Sequence, residues 1–240
     1  MHRLGTAVMF WLALVLSGQG QSQQRQSVAG LVEEFKSSKV FWQQFDIARK
    51  IVALHDTTVL PGLASCLTNE DRHMRGNAAF IFAALGDDRG FKVIAAILAD
   101  RSYRPESQDL GHGDDGRYDV DQQIKQDRYY AAHLFGDLKD PRAVPILIPL
   151  LHDEDVNFIV PWSLGEIGDK RAVKPLIEML SDKDPSMRVL CIFALQALGA
   201  REALPRLHDL LSDNERCNFD KLISVAEAAR AAIATLETKP

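Results

Sequence analysis

The apolar positions of this chain recur at helical spacing, and they do so several times in the same order. Ala172, Val173, Leu176, Met179 and Leu180 fall on one face, with Lys174, Glu178 and Ser181 between them. That spacing predicts an amphipathic helix. The pattern returns one unit earlier in Ala143, Val144, Leu147, Leu150 and Leu151, and one unit later in Ala203, Leu204, Leu207, Leu210 and Leu211. Leu60, Leu63, Cys66 and Leu67, then Phe91, Ile94, Ile97 and Leu98, repeat it nearer the N-terminus. Each is preceded by another apolar-periodic segment, over 41–54, 72–85, 122–135, 155–167 and 185–198, and a further one over 219–236 closes the series. The β-branched residues fall in helical period, so no strand is expected.

The punctuation repeats with the pattern. Residues 135–153 and 164–182 are near-copies at an offset of 29 residues without a gap. Aspartate-centred turns align at Asp56, Asp87, Asp140 and Asp169, with Ala200 in the fifth place. Asp140-Pro141 and Asp184-Pro185 each set a capping carboxylate before a proline at the first helical position. Gly86, Gly136, Gly168 and Gly199 are expected to end the first helix of their units in a left-handed conformation. Pro149 is expected to kink the second helix of the third unit, and Pro161 to bend the first helix of the fourth. Helix-turn-helix units cannot bury their apolar faces alone. Stacking them predicts an all-α fold, an α-solenoid of about five repeats with one continuous core. The helix bearing Phe41, Trp42 and Phe45, and the alanine-rich last helix with Ala226, Ala228, Ala229, Ala231 and Ala232, suit the two ends.

These residues resemble the HEAT-like repeats of the short bacterial type named after phycobilisome lyases. The resemblance is carried by Gly168-Asp169-Lys170-Arg171-Ala172-Val173 and Lys139-Asp140-Pro141-Arg142-Ala143-Val144, and by Met74-Arg75 and Met187-Arg188. It runs over roughly 41–236, although the first and last units lack the turn arginine. It implies a superhelical array. Members include scaffolds, bilin lyases, a DNA glycosylase and di-iron deoxyhypusine hydroxylases. The hydroxylases hold iron with His-Glu pairs, and this sequence contains no His-Glu dipeptide. No cofactor is therefore expected.

One interval, from Asp87 to Asp140, exceeds the others by about 22 residues. The surplus is an insertion at 103–120, rich in glycine and acids. Its Tyr103, His112, Asp114, Asp115 and Tyr118 are candidates for partner contact, since long loops in compact arrays often carry function. Asp114, Asp115, Asp119 and Asp121 offer calcium-type oxygen ligands, but their spacing departs from the EF-hand pattern. A solvated loop without a ligand accounts for the same composition.

Composition changes the picture at the N-terminus and in the choice of partner. A basic start at His2 and Arg3, an uncharged apolar run over 4–16 and small residues at 17–20 have the layout of a secretory signal peptide. We read residues 1–20 as that signal, 21–30 as a spacer, and 31–240 as the solenoid, exported to the periplasm or secreted. The apolar run is shorter than the ~20 residues of a membrane span. A net charge of −5 argues against nucleic acid as partner. Cys66, Cys191 and Cys217 fit neither a disulfide framework nor a metal knuckle, and read as buried thiols. A Cys191–Cys217 bridge stays open in an oxidising compartment.

Second helices of such arrays usually line the concave face. There Pro145, Ile148 and Pro149 stand where Lys174, Ile177 and Glu178 stand one unit on, and the apolar stripe is a candidate surface for a protein or peptide. Arg75, Arg128 and Arg188 share one register, as a cationic ladder or as ties between units. His133 and Asp137 lie four apart on one helix beside Tyr129 and Tyr130, a spacing compatible with acid–base chemistry. No nucleophile stands beside them, since Ser163 lacks a nucleophile-elbow sequence. The reading that best fits is a non-enzymatic protein-interaction scaffold. An enzyme or enzyme subunit of the lyase or hydroxylase kind, and a ligand or calcium binder using the insertion, are the alternatives.

Overall fold

The computed structural model describes residues 27–101, 120–218 and 223–238. Helix α1 (Val28–Ser37) starts within the expected spacer, capped by the Ser27 hydroxyl accepting from Gly30 N–H at 3.0 Å. Five units follow. The first pairs α2 (Phe41–Ala53) with a rod over 57–68 that contains α3 (Leu60–Leu63). The second pairs α4 (Arg72–Ala84) with α5 (Asp88–Ala99). The third pairs α6 (Val120–Leu138) with the rod 141–152 around α7 (Val144–Leu147). The fourth pairs α8 (Val160–Ile167) with the rod 170–181 around α9 (Val173–Glu178), and the fifth pairs α10 (Pro185–Ala197) with the rod 201–212 around α11 (Leu204–Asp209). Helix α12 (Val225–Thr238) closes the array. Among the described residues there is no strand, only an isolated bridge between Arg216 and Ser224.

Proline decides how the second helices are wound. In the rod 141–152, Pro145 has no N–H for the carbonyl of Pro141, and Val144 donates to that carbonyl instead. The result is the tighter i→i+3 turn. Leu60 on Thr57 and Leu204 on Arg201 do the same ahead of Pro61 and Pro205. At Pro149 the third rod passes from α7 into a second 3₁₀ turn, Ile148–His152, and the first, fourth and fifth rods end in the same kind of turn without a proline there. Only α5 lacks proline among the second helices, and it runs unbroken as α-helix for 12 residues.

First helices stack in order, α2 on α4, then α6, α8, α10 and α12, and α5 packs on α6 across the insertion. The surplus of residues between the second and third units therefore leaves the stacking intact. One apolar cluster runs from Leu31 on α1 to Leu236 on α12, the continuous core of a solenoid. Cys66, Cys191 and Cys217 are buried and form no disulfide among the described residues. Burial pushes the Cys66 and Cys191 thiols up, away from the reactive thiolate.

The turns tie neighbouring units together. Asp87, Asp140 and Asp169 each accept the backbone N–H two residues on, and the arginine there folds back onto the same carboxylate. Arg142 then reaches Asp88 at 2.7 Å, and Arg171 reaches the Pro141 carbonyl, in the same register, at 2.7 Å. The other arginine register is likewise structural. Arg128 is 1% exposed; its Nε donates to Leu98 O at 2.8 Å and its fork grips Asp153 and Asp155. Arg188 bonds Asp182 O, Asp213 and Glu215, and Arg75 bonds Asn69 O. These arginines bind inter-helix links rather than forming a cationic ladder for a ligand.

Three expected boundaries are corrected. Gly136 does not end its helix, because α6 continues to Leu138 and the left-handed residue is Lys139, at φ 53°. Gly136 instead admits the ring of α8's Trp162, for a Cβ there would lie 2.6 Å from Cζ3. Gly86, Gly168 and Gly199 do take positive φ. The expected helix over 155–167 is helical only from Val160, since Pro161 has no N–H to extend it backwards and so starts the helix rather than bending it. The last helix begins at Val225 rather than 219, after the chain has paired Cys217 N–H with Ile223 O.

Candidate functional site

Three half-exposed aromatic side chains gather near the N-terminal end of the array. Phe41 and Trp42 open α2 and Tyr129 stands on α6; they are 45%, 55% and 42% exposed, although most large rings are largely withdrawn from water. Together with His73 and Tyr130 they line a cleft of about 700 Å³, within the size range of ligand pockets. Trp42 and His73 are both the second residue of their helices, so the units present them side by side.

The rings are held in a fixed arrangement. Phe41 stacks on His73 with centroids 4.9 Å apart, and Tyr130 meets them edge-on at 5.8 and 5.9 Å, a geometry favoured by ring quadrupoles. Tyr130 passes α4 at Gly76, where a Cβ would stand in ordinary contact with its ring at 3.6 Å. Beneath lies a buried polar chain. Asn77 Nδ2 donates to Gln44 Oε1 at 2.9 Å and to Phe41 O at 3.2 Å, while Asn77 Oδ1 accepts from the Tyr130 hydroxyl. Gln44 Nε2 donates to Phe35 O at 3.1 Å. A satisfied network of this kind makes the floor rigid. Burial, with the nearby Asp137 charge, pushes the Tyr130 phenol well up, so it remains a donor.

The charges around the cleft are largely committed. Arg72 lies buried under it, 2.7 Å from Asp100 and 2.8 Å from Asp127. Asp155 is held by Arg128 at 2.9 Å and Lys125 at 3.5 Å. The Asp71 carboxylate caps α4 through the N–H groups of His73 and Met74, at 2.8 and 3.3 Å. Lys39, on the rim, has no ion pair among the described residues.

The residues expected from sequence lie elsewhere. Tyr103, His112, Asp114, Asp115 and Tyr118 fall outside the described residues, as does Asp119. On the rods, Pro145, Pro149, Lys174 and Glu178 are exposed, whereas Ile148 and Ile177 are partly buried against the core. The stripe they form is thus thinner than the sequence suggests. Pro149 also borders an open hollow with Arg101, His152 and Asp155. The aromatic cleft itself was not anticipated: Phe41 and Trp42 read as an end cap, and Tyr129 and Tyr130 as part of one helix. The available signal was their register, with rings at the exposed first turn where the fourth unit has Glu154 and Asp155.

His133 and Asp137 do meet, Nδ1 to Oδ2 at 2.9 Å, and neither atom has another partner among the described residues. His133 also stacks on Trp162 at 4.4 Å. The nearby Ser163 hydroxyl is fully buried and donates within the fold, to the carbonyls of Ala132 and Ile159 at 2.9 and 3.1 Å, so it supplies no nucleophile. Among the described residues no three His, Cys, Asp or Glu side chains come together as a metal site.

The family model for HEAT repeats matches residues 121–188 and again 157–218. No curated protein matches the chain. Among solved structures the chain is similar to two engineered proteins of the Northeast Structural Genomics Consortium. One shares 17% identity, with 88% of this chain and 96% of the other covered, at a TM-score of 0.41. The other shares 16%, with 89% and 69% covered, at 0.35. The matched residues are the third to fifth units, which are HEAT repeats, and the same helix-turn-helix arrangement stands twice more before them.

Proposed function

We propose that this chain is an exported, non-enzymatic scaffold that holds a segment of a protein partner. The observation that carries the reading is the convergence of Phe41, Trp42 and Tyr129, each half-exposed, on a cleft whose floor is already hydrogen-bonded. Aromatic side chains dominate protein-interface energetics when they are covered. A preorganised floor lowers the entropy cost of covering them. HEAT-repeat proteins commonly bind protein partners. The exposed side of the rods, with Pro145, Pro149, Lys174 and Glu178, is a second surface in the same proposal. Export rests on the layout of residues 1–20, and no helix among the described residues is long and apolar enough to cross a membrane.

The test is affinity capture from an envelope extract with the full chain, with Trp42→Ala plus Tyr129→Ala, and with Pro149→Asp plus Glu178→Lys. Loss of the captured polypeptide in the first variant is expected. Capture that survives it unchanged would remove the cleft from the partner site.

A further inference from the structure

We infer that the aromatic cleft takes an extended, proline-rich segment flanked by an acidic residue. The inference rests on the scaffold reading and narrows it to one chemical class. It comes from asking which groups in the cleft still lack a partner. Asp71 caps α4 through Oδ1, Asp155 is held by Arg128 and Lys125, and the Tyr130 hydroxyl is spent on Asn77. The indole N–H of Trp42, the hydroxyl of Tyr129 and the ammonium of Lys39 make no hydrogen bond or ion pair among the described residues. The unused inventory is therefore mostly donors, set between flat aromatic faces.

A ligand that matches must offer acceptors, flat apolar surface and few donors of its own. Proline supplies all three. It has a carbonyl but no N–H, and its ring lies against an aromatic face. A proline-rich chain is also extended before it binds, in the polyproline II form, so little conformational entropy is lost on docking. Lys39 fixes the charge, because an unpaired cation on the rim favours a carboxylate beside the prolines. A saccharide needs acceptors as well as donors, and of the two lining carboxylates Asp155 is already paired and Asp71 Oδ1 is used by the α4 cap. A cationic ligand would meet the unpaired Lys39 and, of those two acids, only Asp71 without a Lys or Arg partner. An amphipathic helix would bring its own satisfied backbone and leave the three donors bare.

Calorimetric titration of the full chain tests this. The probes are a ten-residue Pro-x-x-Pro peptide with a terminal-side Glu, the same peptide with every Pro replaced by Ala, the same peptide with Glu replaced by Lys, an amphipathic helical peptide, and a neutral oligosaccharide. The Pro–Glu peptide should bind at least ~10-fold more tightly than its alanine version, and Trp42→Ala should weaken it at least ~10-fold, the loss expected of an aromatic anchor. Tyr129→Phe, which keeps the ring, should weaken it by a smaller factor. Lys39→Glu should reverse the preference between the Glu and Lys peptides. All three side chains are on the surface, and circular dichroism of each variant confirms that the fold is kept. Equal binding of the alanine peptide, or of the helical peptide, in a Trp42-dependent manner overturns the proline assignment and leaves the scaffold reading standing. Trp42-dependent binding of the oligosaccharide alone, or no binding of any peptide, overturns both.

Discussion

The hydroxyl of Tyr130 on α6 donates to the side-chain carbonyl of Asn77 on α4, one unit back, and this bond aims the Tyr130 ring at Phe41. Asn77 is fully buried and its amide is already used twice, on Gln44 and on Phe41 O. Tyr130→Phe removes the donor and leaves the Asn77 oxygen with no replacement. An unsatisfied buried acceptor costs about 1–3 kcal/mol, so the urea midpoint should fall accordingly while the fold persists. A midpoint equal to that of the unchanged chain would mean that water satisfies Asn77 and that the floor is less closed than its geometry indicates.

The fold was legible because a repeat is written several times. Ala172, Val173 and Leu176 recur as Ala143, Val144 and Leu147, and one misleading residue is outvoted by its counterparts. Gly136 shows where that advantage ends. Its true counterpart is Gly165, inside a helix, and the residue matching Gly168 is Lys139; glycine chemistry pointed to the wrong position because a glycine serves close packing as well as turns. The cleft was hidden for a different reason. Its rings come from α2, α4 and α6, and their arrangement depends on Asn77 joining three helices. Each residue looks ordinary in its own helix, and only stacking makes them neighbours.

Two ion pairs of similar chemistry should differ widely in their worth. Arg128 is enclosed and bonds Asp153 and Asp155, whereas the Arg171 side chain that bonds Asp169 is 57% exposed. Asp153→Asn leaves a desolvated guanidinium short of countercharge, and breaking such a pair costs about 3 kcal/mol or more. Asp169→Asn keeps a capping side chain and loses only a solvent-screened pair, so its cost should be small. Denaturant midpoints of the two variants should fall in that order. Equal losses would show that Asp155 alone suffices for Arg128.

Lys139 holds φ 53°, a conformation in which its Cβ is strained; of the four matching turns, three use glycine at positive φ and the fourth has another strained residue, His55. Lys139→Gly should therefore raise stability by about 1 kcal/mol, less the small contribution of the exposed contact with Glu166 at 3.1 Å. Gly136→Ala should do the opposite. Its Cβ would fall 2.6 Å from the Trp162 ring and 3.0 Å from the Ser163 backbone, and overpacking of that kind costs about 1–3 kcal/mol. Thermal melts of both variants decide between the two roles. Stabilisation by alanine at 136 would show that the Trp162 ring yields and that the close approach does not require glycine.

Acid should unfold the array through its turns. Hydrogen bonds from Arg89, Arg142 and Arg171 hold the Asp87, Asp140 and Asp169 carboxyls below their ordinary value. An unfolded aspartate protonates near pH ~4. Just below that pH the unfolded chain takes up protons that the folded turns refuse, and proton binding draws the equilibrium towards unfolding. The turns' contribution is thus complete above pH ~4 and is lost as the pH falls through the lowered folded values. These groups lie near the surface, so the effect per turn is modest and also shrinks with salt. Replacing Arg89, Arg142 and Arg171 together with Gln removes the largest cause of the shift but leaves the backbone caps in place. The slope of stability against pH below ~4 should then flatten, while stability at pH 7 falls by the same integrated amount, because linkage connects the two. An unchanged slope with lower stability at pH 7 would trace the arginines' role to their contacts with Asp88, Phe82, Phe91 and Pro141 rather than to the carboxylates they grip.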